Sequence, residues 1–202
     1  MVLKDANCGK FLWWKFIKSK EKIVDYLEGF NWCKNNGYEI KAVVSDGFKG
    51  LSKIIAPIPL QLCQFHTITA MRTKLTNHPQ SKVGKELLRI SRLLTKLNKA
   101  EFSKLLMKFE AEFSKYLNEK SINEQGIVFF THRRLRSALR TLKSNLDLLF
   151  TYQSYPNILN TNNSLEASFN DLKSKIRNHT GLNLSNRMKF ISWYFSIKNE
   201  AK

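Results

Sequence analysis

The hydrophobic pattern of this chain changes near residue 66, and that change restricts the folds open to it. Before residue 66, short runs of β-branched and aromatic residues alternate with turns and one helical stretch, which is typical of an α/β arrangement. From residue 67 to 150, apolar residues recur at steps of three and four, which predicts three successive amphipathic helices beyond residue 80. Asn98 with Glu101 three residues later fits a capping box that marks the start of the second helix. We therefore expect an α/β frame, residues 1–66 and 151–202, interrupted by an all-helical insertion at residues 67–150.

The first segment contains the predicted strands. Residues 1–5 and 11–17 predict two antiparallel strands joined by a turn, and residues 20–35 predict a helix. Residues 40–45 predict the next strand, which a right-handed crossover would place parallel to the strand before the helix. A further strand is predicted at residues 60–65.

Two acidic residues stand at the ends of predicted elements. Asp46 follows the strand-like run 40–45, and the carboxyl end of a buried strand is where open α/β sheets place their sites. Glu166 lies in the first turn of a predicted amphipathic helix, whose apolar stripe comprises Leu165, Phe169, Leu172 and Ile176. Each residue also has a purely structural interpretation: an Asp-Gly turn for Asp46, and a capping box with Asn163 as N-cap for Glu166. The spacing alone leaves both interpretations open.

The charge balance points to a polyanionic partner. The chain has 34 Lys and Arg against 16 Asp and Glu, a formal net charge of +18, which favours nucleic acid. No stretch has the apolar length of a membrane-spanning helix, and the start shows no signal-peptide pattern. We therefore expect a cytoplasmic protein without a membrane partner, whose three cysteines are reduced.

Clusters of basic residues supply candidate phosphate contacts. One cluster begins at His132 on a predicted basic helix of the insertion, a second consists of Arg140 and Lys143 on that helix, and the third follows Glu166 on its own helix. A basic helical face is often merely solvated, but clusters flanking a candidate acid favour contact with nucleic-acid phosphates. The candidate DNA-binding residues are Arg133, Arg134, Arg136, Lys173, Lys175 and Arg177.

Cys63 and His66 follow the last strand predicted in the first segment. A thiolate and an imidazole could supply two zinc ligands, but a structural zinc site needs four, and no second closely spaced pair is evident. A small buried thiol next to a hydrogen-bonded histidine is the simpler interpretation.

Taken in order, these motifs are more specific than any one of them alone. They comprise Val43-Val44-Ser45-Asp46-Gly47-x-Lys49-Gly50-Leu51, Cys63-Gln64-Phe65-His66, Asn160-Thr161-Asn162-Asn163-x-Leu165-Glu166, Lys173 and Arg177-Asn178-His179-x-Gly181-Leu182. The set resembles DDE-type transposases of bacterial insertion sequences, most closely the Mutator-like class, and the resemblance covers nearly the whole chain.

The resemblance implies a ribonuclease H-like mixed sheet, with the helical insertion between the second and third catalytic acids. It assigns those two places to Asp46 and Glu166, which would hold Mg²⁺ (or Mn²⁺) during DNA strand cleavage and strand transfer in transposition and recombination. Cys63, His66 and Asn163 would support the site. The implied partners are the DNA of the element ends and the target, at the bacterial nucleoid, with a homo-oligomer on DNA as one possible assembly.

The resemblance also implies a third carboxylate, on the opening strand of the fold. Only two strands are predicted before the first helix, and Asp5 fits the end of the family's second strand better than the catalytic place on the first. We therefore expect a carboxy-terminal catalytic portion that lacks the first acid and does not cleave DNA efficiently alone. Two alternatives stay open: a non-catalytic DNA-binding transposase remnant and a ribonuclease H-like nuclease.

Overall fold

A computed structural model describes residues 1–155 and 157–200. These residues form a mixed α/β protein with ten α-helices, one 3-10 turn and three two-stranded sheets. In chain order the elements are β1 (Val2–Lys4), β2 (Phe11–Trp14), α1 (Ile23–Asn35), β3 (Val43–Ser45), α2 (Leu51–Ile54), β4 (Leu60–Leu62), α3 (Gln64–Leu75), α4 (Lys82–Arg92), α5 (Lys99–Glu112), α6 (Ser114–Asn118), β5 (Lys120–Ile122), β6 (Val128–Phe130), α7 (Arg133–Ser144), α8 (Leu146–Leu149), the 3-10 turn (Thr151–Gln153), α9 (Asn163–Arg177) and α10 (Leu184–Glu200).

The chain forms two compact units, and both are discontinuous in sequence. The first unit comprises Met1–Val43, Phe48–Pro59 and Asn162–Lys202. The second unit comprises Val44–Gly47 and Leu60–Thr161. The domain boundaries predicted from the hydrophobic pattern, after residues 66 and 150, stay a prediction.

The first unit is built on a hairpin and the last two helices. Strands β1 and β2 pair antiparallel, as predicted, with Val2 opposite Trp14. Phe11 of β2 is buried with Leu172 of α9 and Phe195 of α10, and the rings of Phe11 and Phe195 lie 4.5 Å apart. Aromatic pairs at this separation add to the stabilisation from burial itself. The core of this unit therefore joins the two ends of the chain.

The apolar stripe predicted on α9 packs as expected. Leu172 is buried, and Leu165, Phe169 and Ile176 are partly buried against the same core. These positions recur at steps of three and four, so they occupy one side of the helix. The side that carries Lys173 and Arg177 is left exposed.

The second unit has a core of its own. Phe102 of α5 is fully buried, and its ring lies 5.7 Å from that of Phe150. Helix α5 begins with the predicted capping box: Glu101 N–H donates to Asn98 Oδ1 at 2.9 Å, and Asn98 N–H donates to Glu101 Oε2 at 3.0 Å. This box satisfies backbone donors that the first turn of a helix otherwise leaves open.

The prediction of an all-helical insertion is wrong for residues 120–130. Strands β5 and β6 form an antiparallel hairpin with Ile122 opposite Val128. In its turn, Gly126 has a φ of +75°, and the Asn123 side chain accepts hydrogen bonds from two backbone amides. Residues 127–130 are β-branched and aromatic, and such residues favour a strand when a turn precedes them.

Three further details differ from the sequence-based expectation. Strand β4 ends at Leu62 and helix α3 begins at Gln64, so the strand predicted at residues 60–65 is too long. Of the three helices predicted beyond residue 80, the second and third are divided, with breaks at Phe113 and Asn145. Strands in the described residues pair as β1–β2, β3–β4 and β5–β6, which does not include the expected parallel pair of the strands flanking α1.

Candidate functional site

Strands β3 and β4 bring two of the sequence motifs to one edge. Val43 N–H donates to Pro59 O at 2.9 Å, and Cys63 N–H donates to Ser45 O at 2.7 Å. The partners advance in the same direction along both strands, as in a parallel pair. Asp46 directly follows β3 and Cys63 directly follows β4, so both lie at the carboxyl edge of this pair. The placement of Asp46 at a strand end is as predicted.

The turn at Asp46 leaves its carboxylate exposed. Gly47 has a φ of +112°, a region that favours glycine, and its N–H donates to Ser45 Oγ at 3.2 Å. Ser45 is buried, whereas Asp46 is exposed. Thus Ser45 rather than Asp46 supplies the side-chain hydrogen bond of this turn. Within its own unit, the Asp46 carboxylate accepts no hydrogen bond from the described residues.

The Cys63–His66 segment is held by the glutamine inside it. Gln64 is completely buried, and its Nε2 donates to Leu149 O at 2.9 Å. Gln64 N–H donates to Asn160 O at 3.0 Å, and Asn160 Nδ2 donates to Gln64 Oε1 at 3.1 Å. Two motifs separated by 96 residues in sequence are therefore in direct contact. Both motifs are visible in the sequence, but no local pattern predicts this role for Gln64.

A second buried glutamine supports the first. Gln61 Nε2 also donates to Leu149 O, at 2.9 Å, and Gln61 Oε1 accepts from Tyr152 N–H at 3.0 Å. Buried polar groups with all their partners in place fix the geometry around them. The only sequence signal for these positions is a polar residue on either side of the apolar pair Leu62-Cys63.

Cys63 and His66 occupy the start of α3 rather than a strand. Cys63 is buried as the residue before the helix, and His66 is half-buried in the first turn. Across residues 1–155 and 157–200, no group of three or more His, Cys, Asp or Glu side chains is placed to hold a metal ion. The predicted role of Cys63 and His66 as supporting residues stays a prediction.

Glu166 lies in the first unit, on α9. The helix begins at Asn163, with Asn162 as N-cap, and Glu166 N–H donates to Asn162 O at 3.2 Å. Glu166 is thus one position further into the helix than a capping box requires, and Asn162 makes no side-chain capping bond. The capping-box interpretation with Asn163 as N-cap is wrong because the helix starts one residue earlier. Glu166 is half-buried and Asn163 is exposed.

The oxygen chemistry of the two acids suits magnesium or manganese, which prefer carboxylate ligands. Each unit supplies one of them: Asp46 belongs to the second unit and Glu166 to the first.

Asp5, the remaining acidic candidate near the start of the chain, has a structural role. Its Oδ1 accepts hydrogen bonds from Asn7 N–H at 2.7 Å and from Cys8 N–H at 3.2 Å. Burial raises the pKa of the Asp5 carboxyl, but these hydrogen bonds outweigh it, so the pKa lies below its ordinary value. Asp5 therefore closes the turn between β1 and β2.

The basic residues on α9 are exposed. Lys173 and Arg177 point away from the core of the first unit, while Lys175 lies 3.7 Å from Asp171. Asp171 also accepts a hydrogen bond from Tyr194 Oη at 2.8 Å. Hydrogen bonds from Tyr194 and Lys198 lower the pKa of Asp171. Burial raises the pKa of Tyr194, and the hydrogen bond to Asp171 raises it further.

The basic residues on α7 differ in how far they are already engaged. Arg136 Nη1 donates to Leu117 O and to Asn118 Oδ1, both at 2.8 Å, and its guanidinium lies 3.6 Å from the Phe130 ring centre. Arg136 thus holds α6, β6 and α7 together. Arg133 lies 4.3 Å over the Phe129 ring, and Arg134 is exposed.

Comparisons with protein-family models, with curated proteins and with solved structures find no match for this chain. The resemblance to transposases therefore rests on the motifs and their order alone. Within the described part of the chain, no helix is both long and apolar enough to cross a membrane.

Proposed function

We propose that this chain is the catalytic portion of a DDE-type transposase with a ribonuclease H-like frame. Asp46 and Glu166 would hold Mg²⁺ or Mn²⁺ during DNA strand cleavage and strand transfer. The observation that carries the proposal is that the Asp46 motif, the Cys63–His66 motif and Asn160, the first residue of the third motif, meet in the second unit. The Cys63–Ser45 hydrogen bond joins the first two, and the contacts between Gln64 and Asn160 join the third.

The motif that begins at Asn160 leads directly to the second acid. Glu166 follows Asn160 by six residues in sequence, at the start of α9. Asp46 and Glu166 would supply anionic oxygen ligands, and the exposed cations Lys173 and Arg177 would neutralise nearby phosphates. A bound divalent cation would polarise the phosphodiester and acidify a bound water.

Of the three acids that the resemblance implies, this chain supplies two. Asp5 is committed to the turn amides of Asn7 and Cys8, so it does not replace the third. Clamping both the attacking and the leaving oxygen requires a pair of metal ions, which two carboxylates hold poorly. We therefore expect this chain to bind DNA and a divalent cation but to cleave DNA slowly.

A second candidate is a DNA-binding transposase remnant without catalytic activity. The lack of any group of three metal-ligating side chains among the described residues favours it. The two candidates differ in one measurable property, because only the first requires Asp46 and Glu166 to share an ion.

Binding of Mn²⁺, followed by electron paramagnetic resonance, tests this difference. Asp46→Asn and Glu166→Gln should each weaken Mn²⁺ binding by about tenfold or more, since one charged ligand is lost. The double variant should bind little worse than either single variant, because loss of one ligand already disables a shared site. Glu124→Gln, at the exposed hairpin tip, is the matched control and should bind like wild type. Wild-type affinity in both single variants would exclude the shared ion and leave the DNA-binding remnant.

A further inference from the structure

A groove of about 700 Å³ crosses the second unit between α7 on one side and α5, α6 and β6 on the other. Its wall includes Arg133, Arg136, Arg140 and Lys143, which recur at steps of three and four along α7. They therefore share one side of the helix. Glu110 is the acidic residue in the lining, so the net charge of the lining is +3.

The four cations of the groove are not equally available. Arg136 is held by α6 and by the Phe130 ring, and Lys143 Nζ donates to Glu110 Oε2. Arg140 is exposed, and it makes no hydrogen bond or ion pair with the described residues. It also lies between Arg133 and Lys143 along the helix. Arg140 is thus the central cation that can bind an incoming anion.

The spacing of the groove suits a polymer of phosphates. Arg133 and Lys143 are ten residues apart, which corresponds to about 15 Å along a helix. That length matches roughly four steps along one strand of duplex DNA. The same side of α7 adds two hydroxyls. Ser137 Oγ accepts from Lys74 Nζ and can still donate to a phosphate oxygen, whereas Ser144 Oγ would have to exchange a long hydrogen bond of 3.4 Å to Thr141 O.

We propose that this groove binds the phosphate backbone of a nucleic acid, with Arg140 as its central contact. Lys143 then exchanges its Glu110 partner for a phosphate oxygen. The inference rests on the proposed function insofar as DNA is the expected polymer. A nucleic acid fits better than an acidic peptide because three of the four cations along this side of α7 are guanidinium groups, whose paired donors match phosphate oxygens.

The negative charge of Glu110 should oppose DNA binding in this groove. Its carboxylate neutralises Lys143 and repels any anion that enters the groove. Removal of the Arg140 charge should therefore weaken DNA binding, and removal of the Glu110 charge should strengthen it.

Fluorescence anisotropy tests both expected changes in DNA affinity. The probes are a labelled 20-base-pair duplex of mixed sequence and a single strand of the same length. EDTA is present throughout, so the result does not depend on metal binding. Arg140→Ala should weaken binding about tenfold and lower the slope of log affinity against log salt by about one. Arg92→Ala removes an equal charge from an exposed helical position outside the groove, and it should weaken binding no more than about twofold.

Glu110→Gln should tighten binding about threefold, whereas Glu112→Gln, an exposed residue two positions along, should change it much less. The difference between duplex and single strand shows which form the groove accepts. Equal losses in Arg140→Ala and Arg92→Ala would overturn the inference. So would tighter binding of poly-glutamate than of either oligonucleotide, which would assign the groove to an acidic protein.

The same measurements separate failure of this inference from failure of the proposed function. Absence of DNA binding by the wild-type chain would defeat both. Binding by wild type without any difference between Arg140→Ala and Arg92→Ala would defeat the groove alone, and the Mn²⁺ result for Asp46 and Glu166 would be unaffected.

Discussion

Replacing Gln64 with glutamate tests whether the contact between two motifs depends on a buried amide. The Gln64 carboxamide donates to Leu149 O and accepts from Asn160 Nδ2, and the residue has no exposed surface. A protonated glutamic acid can make both hydrogen bonds. An ionised carboxylate cannot donate, and it would face the Leu149 carbonyl oxygen without water.

The size of the effect follows from proton linkage. An ordinary glutamic acid has a pKa of about 4.3, which lies about 2.7 units below pH 7. Keeping this side chain protonated at pH 7 therefore costs a free energy of about 3.7 kcal/mol. The pKa in the folded chain would exceed that in the unfolded chain. The variant should therefore be close to wild type below about pH 4.3 and should lose about 1.4 kcal/mol per pH unit above it, until the folded pKa is reached.

Urea unfolding of the variant and wild type at pH 4, 5, 6 and 7 measures this difference directly. Gln153→Glu is the matched control, because Gln153 is exposed and its Oε1 only accepts a hydrogen bond, from Lys99 N–H. Its stability relative to wild type should not fall as the pH rises, because an ionised carboxylate can still accept that hydrogen bond. A constant difference between Gln64→Glu and wild type from pH 4 to 7 would show that water reaches residue 64 and that an ionised carboxylate is tolerated there.

The remaining predictions concern a cap, an ionised carboxylate and the cations of α9. Asn98→Ala removes the capping box of α5 and should lower the free energy of unfolding by about 1 kcal/mol, as measured in urea. Hydrogen bonds from Lys15 and from Lys22 N–H lower the pKa of Asp25. Asp25→Asn should therefore destabilise the chain above about pH 4, and the loss of stability should shrink as the pH falls through that lowered pKa. Lys173→Ala combined with Arg177→Ala should reduce the salt slope of DNA binding by about two.

Each of these has an outcome that contradicts it. Full stability of Asn98→Ala would mean that water replaces the cap. A difference between Asp25→Asn and wild type that grows towards pH 2 would reverse the expected sign. For the α9 cations, Lys104→Ala combined with Lys108→Ala removes the same charge from exposed positions on α5. An equal loss of salt slope in that control would show that overall charge, rather than α9, determines DNA binding.

Local signals predicted much of this fold. The first hairpin, the apolar stripe of α9 and the Asn98 capping box depend on residues close in sequence, and each appears as expected. The position of Asp46 at the end of β3 was also predicted, because a β-branched run ends there. Such features are readable because spacing and turn chemistry decide them over a few residues.

Features that depend on competing local preferences were missed. The run from Leu60 to Phe65 fits a strand, but Cys63 ends the strand and starts a helix, whose stability depends on packing in the second unit. The hairpin formed by β5 and β6 lacks the alternation of apolar and polar residues that marks a half-buried strand, since residues 127–130 are all apolar although Val128 is largely exposed. The contact of Gln64 with Asn160 spans 96 residues, so no local pattern contains it.

The discontinuous first unit has a consequence for how the chain reaches its folded state. Phe11 N–H donates to Asn199 Oδ1 across 188 residues, and Phe11 also packs against Phe195. Contacts between residues so far apart in sequence cannot form until α10 has been synthesised, roughly 10 to 40 s after β2 at ordinary rates of translation. The sequence of the second unit is complete earlier, at residue 161. On the ribosome, the second unit can therefore fold while the opening hairpin still lacks its partners, and the first unit can close around Phe11 only after α10 has been synthesised.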